Sequence, residues 1–344
     1  MRICAFFLFK EILDYYKRLN SNIYCCFLDA QRPFDRVNHQ KLFNILFERK
    51  VPLIFIRIIA FWYRNQLVCI KWGNAFSDAF FVSNGVRQGS VLSPYLFNVY
   101  IDKISVRLNS MNIGCVRNNV IINHFFYADD MCVFSPSSFG LQKLIDVCLE
   151  IGFGLDIVFN RTKCKVMVFT SRYFSRLVTP TFTIGNGVLE EVSSFTYLGH
   201  IISNDLKDDL DINRQCKSLY ARGNSLIRTF SHCSFTVKKV LFTSYCTSLY
   251  TCQLWSSYKQ SSMKRLCVAY HGIFKKMLNL PRYTSNSYLF VFSEILTCQE
   301  LIRKNVYGFS CRVTNNENTL VKAACSGDQS FYSKLLNHWS LVLH

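Results

Sequence analysis

The tetrapeptide Tyr127-Ala128-Asp129-Asp130 sits between two apolar runs, with Phe125 and Phe126 before it and Met131-Cys132-Val133-Phe134 after it. Two β-prone runs separated by so few residues fold back on each other, so the segment reads as strand, tight turn and second strand. The turn carries two adjacent carboxylates. Hard oxygen ligands suit Mg²⁺, which binds one or two carboxylates together with substrate phosphates, so the hairpin tip is a candidate site for phosphoryl transfer. An exposed Asp-Asp turn is also common in itself, and its context must decide.

A third carboxylate lies upstream. Tyr24-Cys25-Cys26-Phe27-Leu28-Asp29 is an apolar run ending in Asp, as expected of a buried strand whose last residue emerges from the sheet. Two metal ions that bridge an attacking hydroxyl and a leaving pyrophosphate need carboxylates from at least two chain segments. Asp29 and Asp129 can supply that clamp. Taken singly, each is equally a solvated loop carboxylate or a helix cap.

The stretch from Ala30 to Leu46 (AQRPFDRVNHQKLFNIL), the segment Gly85-Val86-Arg87-Gln88-Gly89 through Leu92-Ser93-Pro94, and the Tyr127–Asp130 hairpin follow one another in an order and spacing that resembles the reverse transcriptases of non-LTR (LINE-like) retrotransposons. The likeness continues through Asn160 and Lys163 before the KVMVF run, then Phe195, Tyr197, Leu198, Gly199 and His200, similar to that family's later palm motifs and primer-contacting hairpin. It is strong over residues 20 to 200 and weaker over 201 to 285. The resemblance implies an α+β fold, a right-hand polymerase palm of antiparallel sheet backed by helices, followed by a mainly helical thumb-like region. It implies RNA-directed DNA synthesis by two-metal nucleotidyl transfer from a dNTP to a primer 3′-hydroxyl. Mg²⁺ is the expected cofactor, with Mn²⁺ able to replace it, and the partners are an RNA template, a DNA primer and dNTPs.

By the same resemblance, Asp29 and Asp129 ligate the metals, Asp130 supports them or the primer end, and the Ala30 carbonyl assists. Their work is electrostatic, since phosphoryl transfer rests on positioning and charge neutralisation. Phe34, five positions after Asp29, matches an aromatic that lies under the incoming sugar and excludes a 2′-hydroxyl, selecting dNTPs. Arg87, Gln88, Gly89 and Tyr127 are carried over as substrate contacts, the Gln88 amide toward template or base. Lys163 is a candidate general acid for the departing pyrophosphate. Lys165 competes for that role, and the basic cluster around both also reads as a solvated face. Ser93 as N-cap with Pro94 after it starts a helix whose Phe97, Ile101, Ile104 and Leu108 fall on one face and back the site.

Charge agrees with a polyanionic partner: 40 Lys+Arg stand against 22 Asp+Glu, a formal +18. From Ile212 to Ser293 there are twelve Lys or Arg and no Asp or Glu, interleaved with Tyr220, Phe230, Phe235, Tyr245, Tyr250, Trp255, Tyr258 and Tyr270. Such a stretch suits a thumb gripping a nucleic-acid duplex, or a core of aromatics under a solubilising basic face. Sixteen scattered cysteines show no metal-finger spacing and fit a reducing, intracellular setting, nuclear or cytoplasmic. The opening ICAFFLF is short for a signal core, and VPLIFIRIIAFWY, interrupted by Arg57, is too short to span a membrane.

The domain expectation is a palm with partial fingers over residues 1–200, a thumb-like basic region over 201–285, and a C-terminal extension of no recognisable role over 286–344. Only 28 residues precede Asp29, where the family carries fingers motifs, so the chain resembles an N-terminally truncated copy opening on a helix. Pro33 departs from the small residue usual before the Phe. The competing reading is a non-catalytic nucleic-acid-binding remnant. An intron-maturase or telomerase-like relative would carry an added RNA-binding domain, which the sequence does not display.

Overall fold

The computed structural model describes residues 2–170, 180–325 and 330–339. They form two compact units: a sheet unit of residues 22–168 and 180–192, and a helical unit of residues 2–21, 169–170, 193–325 and 330–339. The chain opens on the expected helix, α1 (Arg2–Arg18), which belongs to the helical unit.

In the sheet unit, β1 (Ile23–Asp29) is followed by α2 (His39–Glu48), α3 (Leu53–Arg64) and four two-residue strands, β2 (Leu67–Val68), β3 (Lys71–Trp72), β4 (Ala75–Phe76) and β5 (Phe80–Phe81). Next come α4 (Ser93–Asn109), β6 (Cys115–Arg117), β7 (Val120–Ile122), β8 (His124–Tyr127), β9 (Asp130–Ser135) and α5 (Ser138–Gly154). β10 (Lys165–Phe169), β11 (Thr183–Ile184), β12 (Gly187–Val188) and β13 (Glu190–Glu191) complete it. The principal sheet has five strands in the order β13-β10-β1-β9-β8. It is antiparallel through β1, β9 and β8, as expected, while β13 joins β10 in parallel. The unbroken apolar run of β1 makes it an inner strand, buried on both faces, rather than an edge strand.

Strand alternation sorts the faces. Cys26 and Leu28 of β1 and Met131 and Val133 of β9 join one core with Leu96, Phe97, Tyr100, Ile101, Ile104 and Leu108 of α4 and Leu141, Leu144, Ile145 and Cys148 of α5. The predicted α4 stripe is therefore buried throughout. Its start differs by one residue: Leu92 stands at the cap without a side-chain bond, and Ser93 is a buried first-turn residue. Pro94 fits that turn because its missing N–H would have no partner there anyway. α3 lies differently, burying Ile56 and Tyr63 while Leu53, Ile54, Phe55, Phe61 and Trp62 remain exposed. Among the described residues no helix is long and apolar enough to cross a membrane.

The helical unit contains the hairpin β14 (Ser194–Tyr197) and β15 (His200–Ser203), then α6 (Asp209–Thr229), α7 (Phe235–Cys246), a 3-10 turn at Cys252–Leu254, and α8 (Gln260–Met277). α9 (Asn286–Phe292), α10 (Cys298–Thr314), α11 (Thr319–Cys325) and α12 (Phe331–His338) follow. The 286–344 stretch thus supplies four helices, with 326–329 and 340–344 outside the described residues. α1 is locked among them: Phe7 meets Phe309, Phe331 and Tyr332 at 5.4–6.1 Å, and the Glu11 carboxylate accepts the Phe331 N–H at 2.6 Å.

A polar network runs through this core. Lys10 donates to Asp208 Oδ1 at 2.5 Å and to the Leu254 carbonyl at 2.9 Å, with both charged groups nearly sealed from solvent. Asp208 Oδ2 accepts the N–H groups of Ser256 and Ser257 at 2.9 and 3.0 Å. Asp211 accepts from Trp255 Nε1 at 2.8 Å, the Ile201 N–H at 3.1 Å and Arg214 at 2.7 Å, and His200 Nδ1 stands 3.2 Å from it. His200, grouped by sequence with a primer-contacting hairpin, is the first residue of that hairpin's second strand and its side chain is buried. Its turn residues Leu198 and Gly199 both have positive φ, at 49° and 78°.

Candidate active site

The Tyr127–Asp130 segment folds as the residues require. Tyr127 and Asp130 are cross-strand partners, leaving Ala128 and Asp129 as a two-residue turn. Ala128 adopts φ 54°, a left-handed conformation that costs a non-glycine residue roughly 1–2 kcal/mol and is tolerated where surrounding structure fixes it. The register of β1 on β9 pairs Leu28 with Met131 and Asp29 with Asp130. Directly opposed residues share a face. Asp29 and Asp130 therefore emerge together on the face opposite the α4 and α5 core, with Asp129 exposed on the adjoining turn.

Asp29 is held from the far side by the loop leading into β10. The Asn160 N–H donates to the Asp29 carbonyl and the Gln31 N–H to the Val158 carbonyl, each at 2.8 Å, about an Ala30–Phe159 bridge. That bridge uses residues 29 and 31 and leaves the Ala30 carbonyl out. The Asp29 N–H reaches Cys164 Sγ at 3.2 Å. Burial pushes the Cys164 thiol up to about 11, so it stays neutral beside the carboxylate.

The two candidate lysines separate. Lys165 is tied to Glu190 at 2.6 Å, across the β10–β13 pair, whereas the Lys163 ammonium lies 3.9 Å from Asp29 Oδ2. With side chains 67% and 42% exposed, the Lys163–Asp29 pair is worth at most about 1 kcal/mol, which leaves both groups available to a ligand.

Phe34 is half-buried and stacked on Phe97 of α4, with ring centroids 4.4 Å apart and planes 23° from parallel. Its carbonyl accepts the Val86 N–H and the Val37 carbonyl accepts the Gly85 N–H, both at 2.8 Å. Gly85 has φ +91°, and a Cβ there would stand 3.0 Å from the Asp35 backbone, so only glycine lets the two loops meet. Arg87, Gln88 and Gly89 follow on an exposed turn. Arg87 also borders a pocket of about 400 Å³ with Phe61, Trp62, Tyr63, Asn65, Gln66, Ser90 and Leu92. Sequence gave no sign of that pocket, because it joins residues of α3 to a turn two dozen positions later.

The carboxylates are all-oxygen donors from two chain segments at one end of the sheet, which fits a hard divalent ion such as Mg²⁺. Among the described residues no three His, Cys, Asp or Glu side chains are gathered closely enough to enclose an ion. The backbone thus brings the donors to one end of the sheet.

Residues 3–202 match the family described as reverse transcriptase (RNA-dependent DNA polymerase). The chain belongs to that family. Its relatives are the reverse transcriptases of non-LTR retrotransposons. It is 30% identical over 141 residues to the retrovirus-related Pol polyprotein from the type-2 retrotransposable element R2DM of Drosophila melanogaster, covering 41% of this chain and 13% of that protein. It is 23% identical over 327 residues to the probable RNA-directed DNA polymerase from transposon X-element of the same fly, covering 91% and 34%. The chain therefore spans only 13% to 34% of the length of these two relatives. A solved telomerase from Candida tropicalis, in complex with the TWJ fragment of telomeric RNA, superposes with TM-score 0.47 at 14% identity, covering 98% of this chain and 52% of that one.

In the helical unit, the aromatics of the acid-free stretch divide. Trp255 and Tyr270 are core, whereas Tyr220, Phe235, Tyr245 and Tyr250 are exposed. Tyr220 borders a groove of about 850 Å³ with His271, Lys275, Lys276 and Arg282.

Proposed function

We propose that this chain extends a DNA primer on an RNA template. The observation that carries the reading is the register opposing Asp29 to Asp130, with Asp129 on the adjoining turn. Asp29 and Asp129, with Asp130 beside them, would hold Mg²⁺ or Mn²⁺, which would supply neutralisation of the triphosphate and activation of the primer 3′-hydroxyl. The primer 3′-hydroxyl gives its proton to solvent, its oxygen bonds to the α-phosphorus, the bond from the α-phosphorus to the bridging oxygen breaks, and pyrophosphate departs. Lys163, held at the same end of the sheet as Asp29, donates a proton to the leaving pyrophosphate. Tyr127 and the Arg87–Gly89 turn contact substrate and template, and the Ala30 carbonyl assists at the metal. Residues 1–200 serve as palm with partial fingers and 201–285 as thumb, whose exposed tyrosines and basic groove suit a duplex backbone. The setting is intracellular.

The test is dNTP incorporation on a primed RNA template with Mg²⁺ or Mn²⁺, wild type beside Asp129→Asn. Incorporation by the wild type alone is the expected result. Salt-sensitive primer-template binding by both proteins with incorporation by neither would mean a binding remnant.

Phe34 sets the sugar preference. Its ring is stacked on Phe97, which supports it against swinging aside for a 2′-hydroxyl. Phe34→Ala is expected to raise rNTP use relative to dNTP use about 10-fold or more. Competing the two nucleotides in one reaction measures it, and an unchanged ratio would return Phe34 to a packing role.

A further inference from the structure

The bonds on Asp29 come from one short segment. Within it, Asn160 Oδ1 accepts the Thr162 N–H at 3.1 Å and the Thr162 hydroxyl at 2.7 Å, and the Asn160 carbonyl accepts the N–H groups of Lys163 and Cys164 at 3.0 and 2.8 Å. This closed turn is rigid in its own right. It meets Asp29 on both sides of the Cα, through Asn160 N–H to the carbonyl at 2.8 Å and through Cys164 Sγ to the N–H at 3.2 Å. Lys163, within the same turn, carries an ammonium 3.9 Å from the Asp29 carboxylate.

We infer that the Asn160–Cys164 turn is a bracket that fixes the aim of Asp29, with the buried thiol of Cys164 as its positioning contact. The argument is one of freedom. Asp29 is the last residue of β1, and beyond it Ala30 continues only through a single isolated bridge. A strand-end peptide held on one side alone can tilt, and a tilt at Cα swings the carboxylate away from Asp129. A partner that orients a ligand is worth about 10- to 100-fold in metal affinity or activity when removed. Cys164 does this from a side chain fully sealed from solvent, so no water competes for the Asp29 N–H.

The inference rests on Asp29 holding metal, so its test separates the two. Mn²⁺ binding to the full chain, followed by electron paramagnetic resonance, is compared for wild type, Asp29→Asn, Cys164→Ala and Cys164→Ser, with dNTP incorporation alongside. Ala and Ser are of similar size, but only Ser accepts the Asp29 N–H. Cys164→Ala is expected to weaken Mn²⁺ binding about 10-fold and to lower kcat similarly, with Ser recovering most of both and the dNTP KM little changed. If Cys164→Ala does not fold, Thr162→Val at an exposed position opens the same turn and should show the same trend at smaller size. Equal Mn²⁺ affinity and kcat in wild type, Ala and Val variants would overturn the bracket while leaving the carboxylate assignment standing. Mn²⁺ binding equal in wild type and Asp29→Asn would overturn both.

Discussion

Asp29→Asn is expected to lower dNTP incorporation by about 10²- to 10³-fold or more while primer-template affinity stays the same or tightens slightly. Asn keeps the shape of Asp and the backbone bonds to Asn160 and Cys164, so the sheet end is preserved. What it loses is one negative charge at the point where charge is to be neutralised. The triphosphate and the developing alkoxide need cations between them and the protein, and an amide oxygen holds such cations poorly. Removing an acidic group beside a polyanion also relieves repulsion, which is why binding should not fall. The three carboxylates should form a graded series. Asp29 and Asp129 are expected to give the largest losses and Asp130, as a supporting group, a smaller one. Gel-resolved extension at saturating primer-template, with filter binding in parallel, measures both quantities. Comparable losses in extension and in binding for Asp29→Asn would mean that the residue is structural.

Lys10→Met is expected to destabilise the helical unit by about 3–5 kcal/mol, because it leaves the Asp208 charge buried without its cation. Met fills the volume of the Lys stem, so the loss is electrostatic rather than a cavity. Burial alone would raise the Asp208 carboxyl, but the Lys10 charge and the bond and charge of His200 outweigh it and hold the carboxyl below its ordinary range. Asp211 is likewise raised by burial and brought down further by His200 and Arg214. A carboxylate whose folded pKa is depressed stabilises the fold above its unfolded pKa and loses that contribution as pH falls through the folded one. The excess cost of Lys10→Met should therefore be complete at neutral pH and shrink below about pH 4. Adding Asp208→Asn to Lys10→Met should recover part of the loss. Urea unfolding from pH 7 to pH 3 tests this, and a cost that does not vary with pH would exclude the ion pair as its source.

Period and turn chemistry made the β8–β9 hairpin, the β1 run and the α4 stripe readable, because each is decided by neighbours within a few residues. The α+β class and the family followed from the order of such segments. Register was not readable. Whether Asp29 faces Asp129 or Asp130 depends on which residues of two strands a hundred positions apart hydrogen-bond, and a slip of one residue would turn Asp29 to the helical face. The choice between Lys163 and Lys165 was open for the same reason, since the Glu190 that occupies Lys165 sits on a strand 25 residues on. The surroundings of His200 were not readable either, because a motif position reveals nothing of what covers it. Its partners Asp208, Asp211 and Thr251 belong to an interior assembled from distant helices.

The place of α1 bears on how the protein is made. Its Phe6, Phe7 and Phe9 are made well before some of their partners, since the Phe331 N–H that closes on Glu11 lies 320 residues later. At about 5–20 residues per second, translation leaves that aromatic face without its final partners for roughly 15–60 s. The face of α1 therefore stays apolar and incomplete until the segment carrying Phe309, Phe331 and Tyr332 has been made.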